Sequence, residues 1–91
     1  MRVAFLDSVH PIIQSRLNKN GFKCEELLLV SREAILNGQL NSIQGLVLRS
    51  RLIIDSELLD AMPQLKWIAR SGSGLENIDL VESKSRDIKV Y

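Results

Sequence analysis

The chain contains one cysteine, Cys24, and one histidine, His10. A lone thiol excludes a disulfide framework, and this pair is too small a ligand set for a Cys/His zinc site. Cys24 is expected to serve as a small buried hydrophobe in or beside a strand. Aromatic residues are also scarce, with one Trp, one Tyr and two Phe. The 12 basic and 11 acidic residues nearly cancel, and Lys19, Lys23, Lys66, Lys84 and Lys89 are scattered. With neither a basic stripe nor platforms for base stacking, nucleic acid is not an expected partner. Long apolar runs are missing as well. Val3-Ala4-Phe5-Leu6 is cut off by Asp7, too short for a secretion-signal core and far below the ~18 residues of a membrane span. A soluble, cytoplasmic chain with no membrane partner is the expectation.

What is present is the syntax of a small globular domain. Ninety-one residues fit one domain, which at this size buries roughly 60–65% of its unfolded surface. Val3–Leu6 is a short continuous apolar run, the pattern of a strand buried on both faces. Pro11 suits the first turn of a helix whose apolar stripe is Ile12, Ile13 and Leu17, with Val9 before it. Asn20-Gly21 stops that helix. A second strand is expected over Phe22–Leu28, at an edge because Glu25 and Glu26 interrupt it. Ser31 then caps a helix over Arg32 to about Asn37, with Ala34, Ile35 and Leu36 inward, and Gly38 closes it. Leu46-Val47-Leu48 is the clearest strand. Asp55 or Ser56 caps a helix with Leu58, Leu59 and Met62 as its apolar face, and Pro63 forbids its continuation. Trp67-Ile68-Ala69 is a fourth strand ending at Arg70. Asp79 caps a helix from Leu80 to about Arg86, and Ile88–Tyr91 is a fifth strand. Strands alternating with helices through short connections imply a parallel α/β sheet with right-handed crossovers.

Open parallel sheets bind ligands at the carboxyl ends of their strands. Three such ends carry polar groups here: Asp7-Ser8, Arg49-Ser50-Arg51, and Arg70-Ser71-Gly72-Ser73-Gly74. Two glycines one residue apart let the backbone turn tightly and present successive N–H groups, an anion-holding nest. Arg49 and Arg70 arrive at one edge if their strands are neighbours, and each guanidinium can fork onto a carboxylate or phosphate. Taken singly, a strand-end arginine is a solvated charge or a carbonyl cap, and Gly72-Ser73-Gly74 is a plain tight turn. Their conjunction points to a small anionic ligand. The glycines do not complete a dinucleotide fingerprint, because Asn77 occupies the position of its third glycine. His10, just before Pro11, reads as a helix-start residue rather than a general base. Ser50, Ser71 and Ser73 have no histidine nearby in sequence to activate them. Asp7 does not belong to a phospho-receiver, whose third strand would end in aspartate where this chain has Arg49.

Three stretches carry a family resemblance: Leu46-Val47-Leu48-Arg49-Ser50, then Leu65 through Leu80 with its core Ala69-Arg70-Ser71-Gly72-Ser73-Gly74-Leu75-Glu76-Asn77-Ile78-Asp79, then Arg86-Asp87-Ile88-Lys89-Val90. They resemble the NAD-dependent D-2-hydroxyacid dehydrogenases over about the last half of the chain, while the first half agrees in its β-α order. The resemblance implies a flavodoxin-like, five-stranded parallel sheet of order 2-1-3-4-5, helices on both faces, forming the substrate-binding lobe. A separate Rossmann lobe would hold NAD and bring the catalytic histidine, glutamate and arginine. On this reading residues 1–91 are an incomplete substrate lobe that binds no cofactor, carries no catalytic group and is inactive alone.

The resemblance also implies roles by position. Arg49 and Ser50 would meet the phosphate or polar tail of the substrate, with Arg70 adding charge. Backbone N–H groups of Ser73 and Gly74 would hold its carboxylate. Asn77 and Asp79 would brace the loop, Asp79 by capping the next helix. Arg49, Ser50 and Arg70 together favour 3-phospho-D-glycerate, oxidised at C2 for serine synthesis, over lactate- or glycerate-like acids. Two positions depart from the family pattern: Glu76 replaces a common aspartate and Leu52 a common threonine. In the family a helix from the far carboxyl end covers one face of this sheet. Without it, an apolar patch beside Ile12, Ile13 and Leu17 and self-association are expected, with a homo-oligomer for the intact enzyme. The rival from another class is a stand-alone, non-catalytic module that binds small anions.

Overall fold

The structure is a computed structural model and describes residues 1–49, 52–70 and 77–91. Strand β1 (Arg2–Phe5) leads into helix α1 (Pro11–Lys19), and β2 (Lys23–Glu26) into α2 (Arg32–Leu36). Then follow β3 (Gly45–Leu48), α3 (Ser56–Asp60), β4 (Trp67–Arg70), α4 (Leu80–Ser85) and β5 (Lys89–Val90). The five strands form one sheet in the order β2-β1-β3-β4-β5, and every neighbouring pair is parallel. This is the implied flavodoxin-like order.

Alternation along the strands divides the core between the two faces of the sheet. Ala4, Leu6, Leu46, Leu48 and Ile68 point to one face, where they pack with Ile35 of α2 and Leu58 and Leu59 of α3. Ile78 and Ile88, flanking α4, join the same cluster. Val3, Phe5 and Val47 point to the other face, where Ile13 and Leu17 of α1 pack on them. Helices therefore lie on both faces, but unevenly.

Side-chain oxygens and ring nitrogens start the helices by accepting orphan backbone N–H groups. His10 Nδ1 accepts from Ile12, Ser31 Oγ from Ala34, Asp55 Oδ1 from Leu58 and Asp79 Oδ1 from Glu82. The helix-start role expected of His10 is thus its actual one. At the other ends, Gly21 and Gly38 adopt positive φ, +85° and +94°. Each donates to the carbonyl three residues back, and the next residue donates five back: Gly21 to Asn18 and Phe22 to Leu17, Gly38 to Ile35 and Gln39 to Ala34. These are Schellman closures.

Several details differ from the sequence reading. Strand β2 is confined to Lys23–Glu26, because Phe22 is drawn off as the last residue of the preceding closure. Ile12 and Leu36 are exposed, at 47% and 38%, so each apolar helical stripe is narrower than expected. Met62 is buried but lies just beyond α3, which ends at Asp60. Cys24 sits half-buried in β2, and burial pushes its thiol pKa up, as for an unreactive packing residue. Edge strand β2 carries Glu25, which pairs with Arg2 of β1 at 2.8 Å.

Candidate functional site

The carboxyl ends of β1, β3 and β4 lie side by side, since β3 sits between its two partners. Leu48 pairs with Arg70, so Arg49 and Arg70 emerge at the same edge. Beyond the strands, main-chain pairing resumes briefly at an isolated parallel bridge between Ile54 and Ile78. Ile54 N–H donates to Asn77 O at 2.7 Å, and Asp79 N–H donates to Ile54 O at 2.9 Å. That bridge carries the Asn77 side chain to the strand ends.

Asn77 is the hub of this edge. Its Oδ1 accepts from Arg70 Nε at 2.7 Å, and its Nδ2 donates to the carbonyls of Arg49 and Leu52, each at 2.9 Å. The amide orientation follows from these partners, because a carbonyl can only accept and an arginine Nε–H can only donate. On the far side, Arg49 N–H donates to Asp7 Oδ2 at 2.6 Å. The peptide groups of Arg49 are thus engaged from β1 and from the segment before α4 together.

Of the residues expected to meet substrate, Arg49 is exposed and Arg70 half-buried on this edge. Ser50, Ser73 and Gly74 lie outside the described residues. Asn77 and Asp79 stand where the chain re-enters the fold, and Asp79 is the N-cap of α4, accepting from Glu82 N–H at 3.0 Å. Sequence reading passed over the tie from Asp7 to Arg49. The only signal for it was the placement of both residues at strand ends, which becomes a contact once β1 and β3 are neighbours.

A cleft of about 190 Å³ opens on the same edge beside β1 and β2, lined in part by Asp7, Ser8, His10, Gln14 and Glu26. Its two carboxylates make it a poor host for an anion, and His10 Nδ1 is already used by the helix cap. The arginine-bearing ends of β3 and β4 suit an anion better. Among the described residues there is no cluster of His, Cys, Asp and Glu that could hold a metal ion, and no helix is long and apolar enough to cross a membrane.

An open, doubly wound parallel sheet with its charged groups at the carboxyl edge defines a class of domains that bind small ligands at strand ends. Within that class, the chain belongs to the D-isomer specific 2-hydroxyacid dehydrogenase family, whose catalytic-domain model matches residues 3–91. The likeness therefore runs through the first half of the chain as well as the second. D-3-phosphoglycerate dehydrogenase of Archaeoglobus fulgidus is 30% identical over 90 residues, covering 99% of this chain and 17% of that protein. The enzyme of the same name from Sus scrofa is 28% identical over 89 residues, covering 98% of this chain and 16% of its own length. A protein from Pyrococcus horikoshii OT3 superposes with a TM-score of 0.87 at 28% identity, across 98% of this chain and 26% of that one. The chain thus spans about a sixth of the curated relatives it matches.

Proposed function

We propose that this chain is the substrate-holding lobe of an enzyme that oxidises a D-2-hydroxy acid, 3-phospho-D-glycerate, by hydride transfer from C2 to NAD. The observation that carries the reading is the placement of Arg49 and Arg70 at adjacent strand ends, where Asn77 bonds the Arg49 carbonyl and the Arg70 side chain. Two guanidinium groups on one edge can bind a dianionic phosphate by charge-assisted hydrogen bonds, whereas an unphosphorylated acid gives them less to hold. The names of the Archaeoglobus fulgidus and Sus scrofa relatives support the same substrate.

Among the described residues, the one that would complete a cofactor fingerprint does not fit it. Asn77 stands where a dinucleotide fingerprint needs its third glycine, and its side chain is committed to Arg70 and two carbonyls. NAD is accordingly assigned to a second lobe, and this lobe contributes binding and orientation. Its work is to hold the acid's anionic ends so that C2 faces the cofactor, with Ser50, Ser73 and Gly74 as further substrate contacts. The cytoplasm is the compartment that suits such an enzyme.

The test compares substrates in the enzyme that contains this lobe. Arg49→Ala and Arg70→Ala should each raise KM for 3-phosphoglycerate about tenfold or more, the worth of a hydrogen bond to a charged group. KM for an unphosphorylated 2-hydroxy acid should change much less. Equal increases for both acids would remove the phosphate assignment.

A further inference from the structure

We propose that Asp7 and Asn77 are positioning residues, a clasp that holds Arg49 and Arg70 at a set separation and thereby selects the length and charge of the substrate; this rests on the reading above. The clasp occupies the place where the sheet's own hydrogen bonds run out. Among the described residues the β3–β4 ladder ends at Leu48 and Arg70, and the main chains meet again at Ile54 and Ile78; at that edge the side chains of Asp7 and Asn77 add further ties. Asp7 holds the N–H of Arg49 at 2.6 Å, and Asn77 holds its carbonyl at 2.9 Å. The same Asn77 amide takes Arg70 Nε at 2.7 Å, which orients the guanidinium plane. Three strand ends are thus tied into one frame through the peptide groups of Arg49 and the side chain of Arg70.

The chemistry of each residue is specific to this task. Asn77 must accept on one side and donate twice on the other, which an aspartate cannot do because it has no donor when ionised. Asp7 is an oddity at an anion-binding edge, since a carboxylate there repels the ligand. Its bond to the Arg49 N–H gives a reason for its presence. From this comes a test with opposite signs. If Asp7 acts only through charge, its removal strengthens anion binding; if it positions Arg49, its removal weakens it.

The experiment follows the ¹⁵N-labelled enzyme that contains this lobe by NMR during titration with 3-phosphoglycerate and, separately, with glycerate. Asp7→Ala should weaken 3-phosphoglycerate binding about tenfold, as loss of one strong hydrogen bond would. Asp7→Asn keeps an acceptor and loses the charge, so it should bind at least as well as the wild type. Asn77→Ala should weaken 3-phosphoglycerate similarly and shift the Arg70 Nε–H resonance, which loses its Asn77 Oδ1 acceptor. Asp7→Ala binding as tightly as the wild type, or more tightly, overturns the positioning role. An Arg70 Nε–H resonance indifferent to Asn77→Ala does the same. Should the wild type bind neither acid, the phosphoglycerate reading and the selectivity it lends the clasp both fall. The Arg49 amide and Arg70 Nε–H exchange rates then still decide whether the clasp itself exists.

Discussion

At the scale of single residues, the backbone at Asp87 is the clearest departure from ease. Its φ is +62°, in the left-handed region where a Cβ is unwelcome. The reason lies in the closure of α4, where Asp87 N–H donates to Lys84 O and Ile88 N–H to Ser83 O. These are the two bonds that Gly21 and Gly38 make possible after α1 and α2, here with aspartate in the glycine's place. Asp87→Gly should therefore stabilise the chain by about 1 kcal/mol. In thermal unfolding that corresponds to a Tm higher by about 4–8 °C, and an unchanged or lower Tm would show that the Asp87 side chain offsets the strain. Gly45 shows the opposite need. A Cβ there would run into the Trp67 indole, which lies across the neighbouring strand and meets Phe22 edge-on at 6.2 Å.

At the scale of elements, the short helices depend on their ends more than on their lengths. Helix α3 has five residues, and its start is fixed by Asp55, which caps Leu58 N–H and pairs with Arg32 at 2.9 Å. The Leu58 N–H, and after it the Arg32 guanidinium, hold the Asp55 carboxyl below its ordinary pKa against the opposing effect of burial. A folded-state pKa lower than the unfolded one means the stabilisation is complete above the unfolded value, near pH ~4, and is lost as pH falls through the folded one. Asp55→Asn can still cap but cannot titrate. In urea melts across the acid range, its stability should fall less steeply with pH than that of the wild type. Identical acid slopes would show that Asp55 contributes nothing to the pH dependence. The pair is well exposed, so its effect is modest and should shrink with added salt.

At the scale of the whole molecule, the two faces of the sheet are covered unequally. One carries α2 and α3 with the flanks of α4, while α1 packs on the other. Beside α1 lies an apolar groove of about 420 Å³ lined by Met1, Leu17, Phe22, Trp67, Ala69 and Tyr91. Tyr91 is 69% exposed and Met1 44%, so this surface gains by leaving water. We infer that the chain studied alone associates with itself through this face. Sedimentation should show mass increasing with concentration, and a hydrophobic dye should brighten on binding. A chain that stays monomeric at high concentration and leaves the dye dark would refute this.

The order of the elements and most of their caps are legible in the chain's local patterns. Apolar runs such as Leu46-Val47-Leu48, capping residues such as Asp55 and Asp79, and stops such as Gly21 and Gly38 act within a few residues of themselves, so their signals are local. The sequence also marked Arg49 and Arg70 as strand-end charges. It left β2 too long and turned Ile12 and Leu36 inward, because helical periodicity names a face without stating how much of it a neighbour covers. That β3 lies between β1 and β4, and with it which strand ends meet, emerges only in the folded sheet. Asp7 and Arg49 are 42 positions apart, Arg49 and Asn77 28, and no local pattern links them. Their contact exists because parallel strands place every carboxyl end on one edge, where side chains must complete what the backbone ladder leaves open.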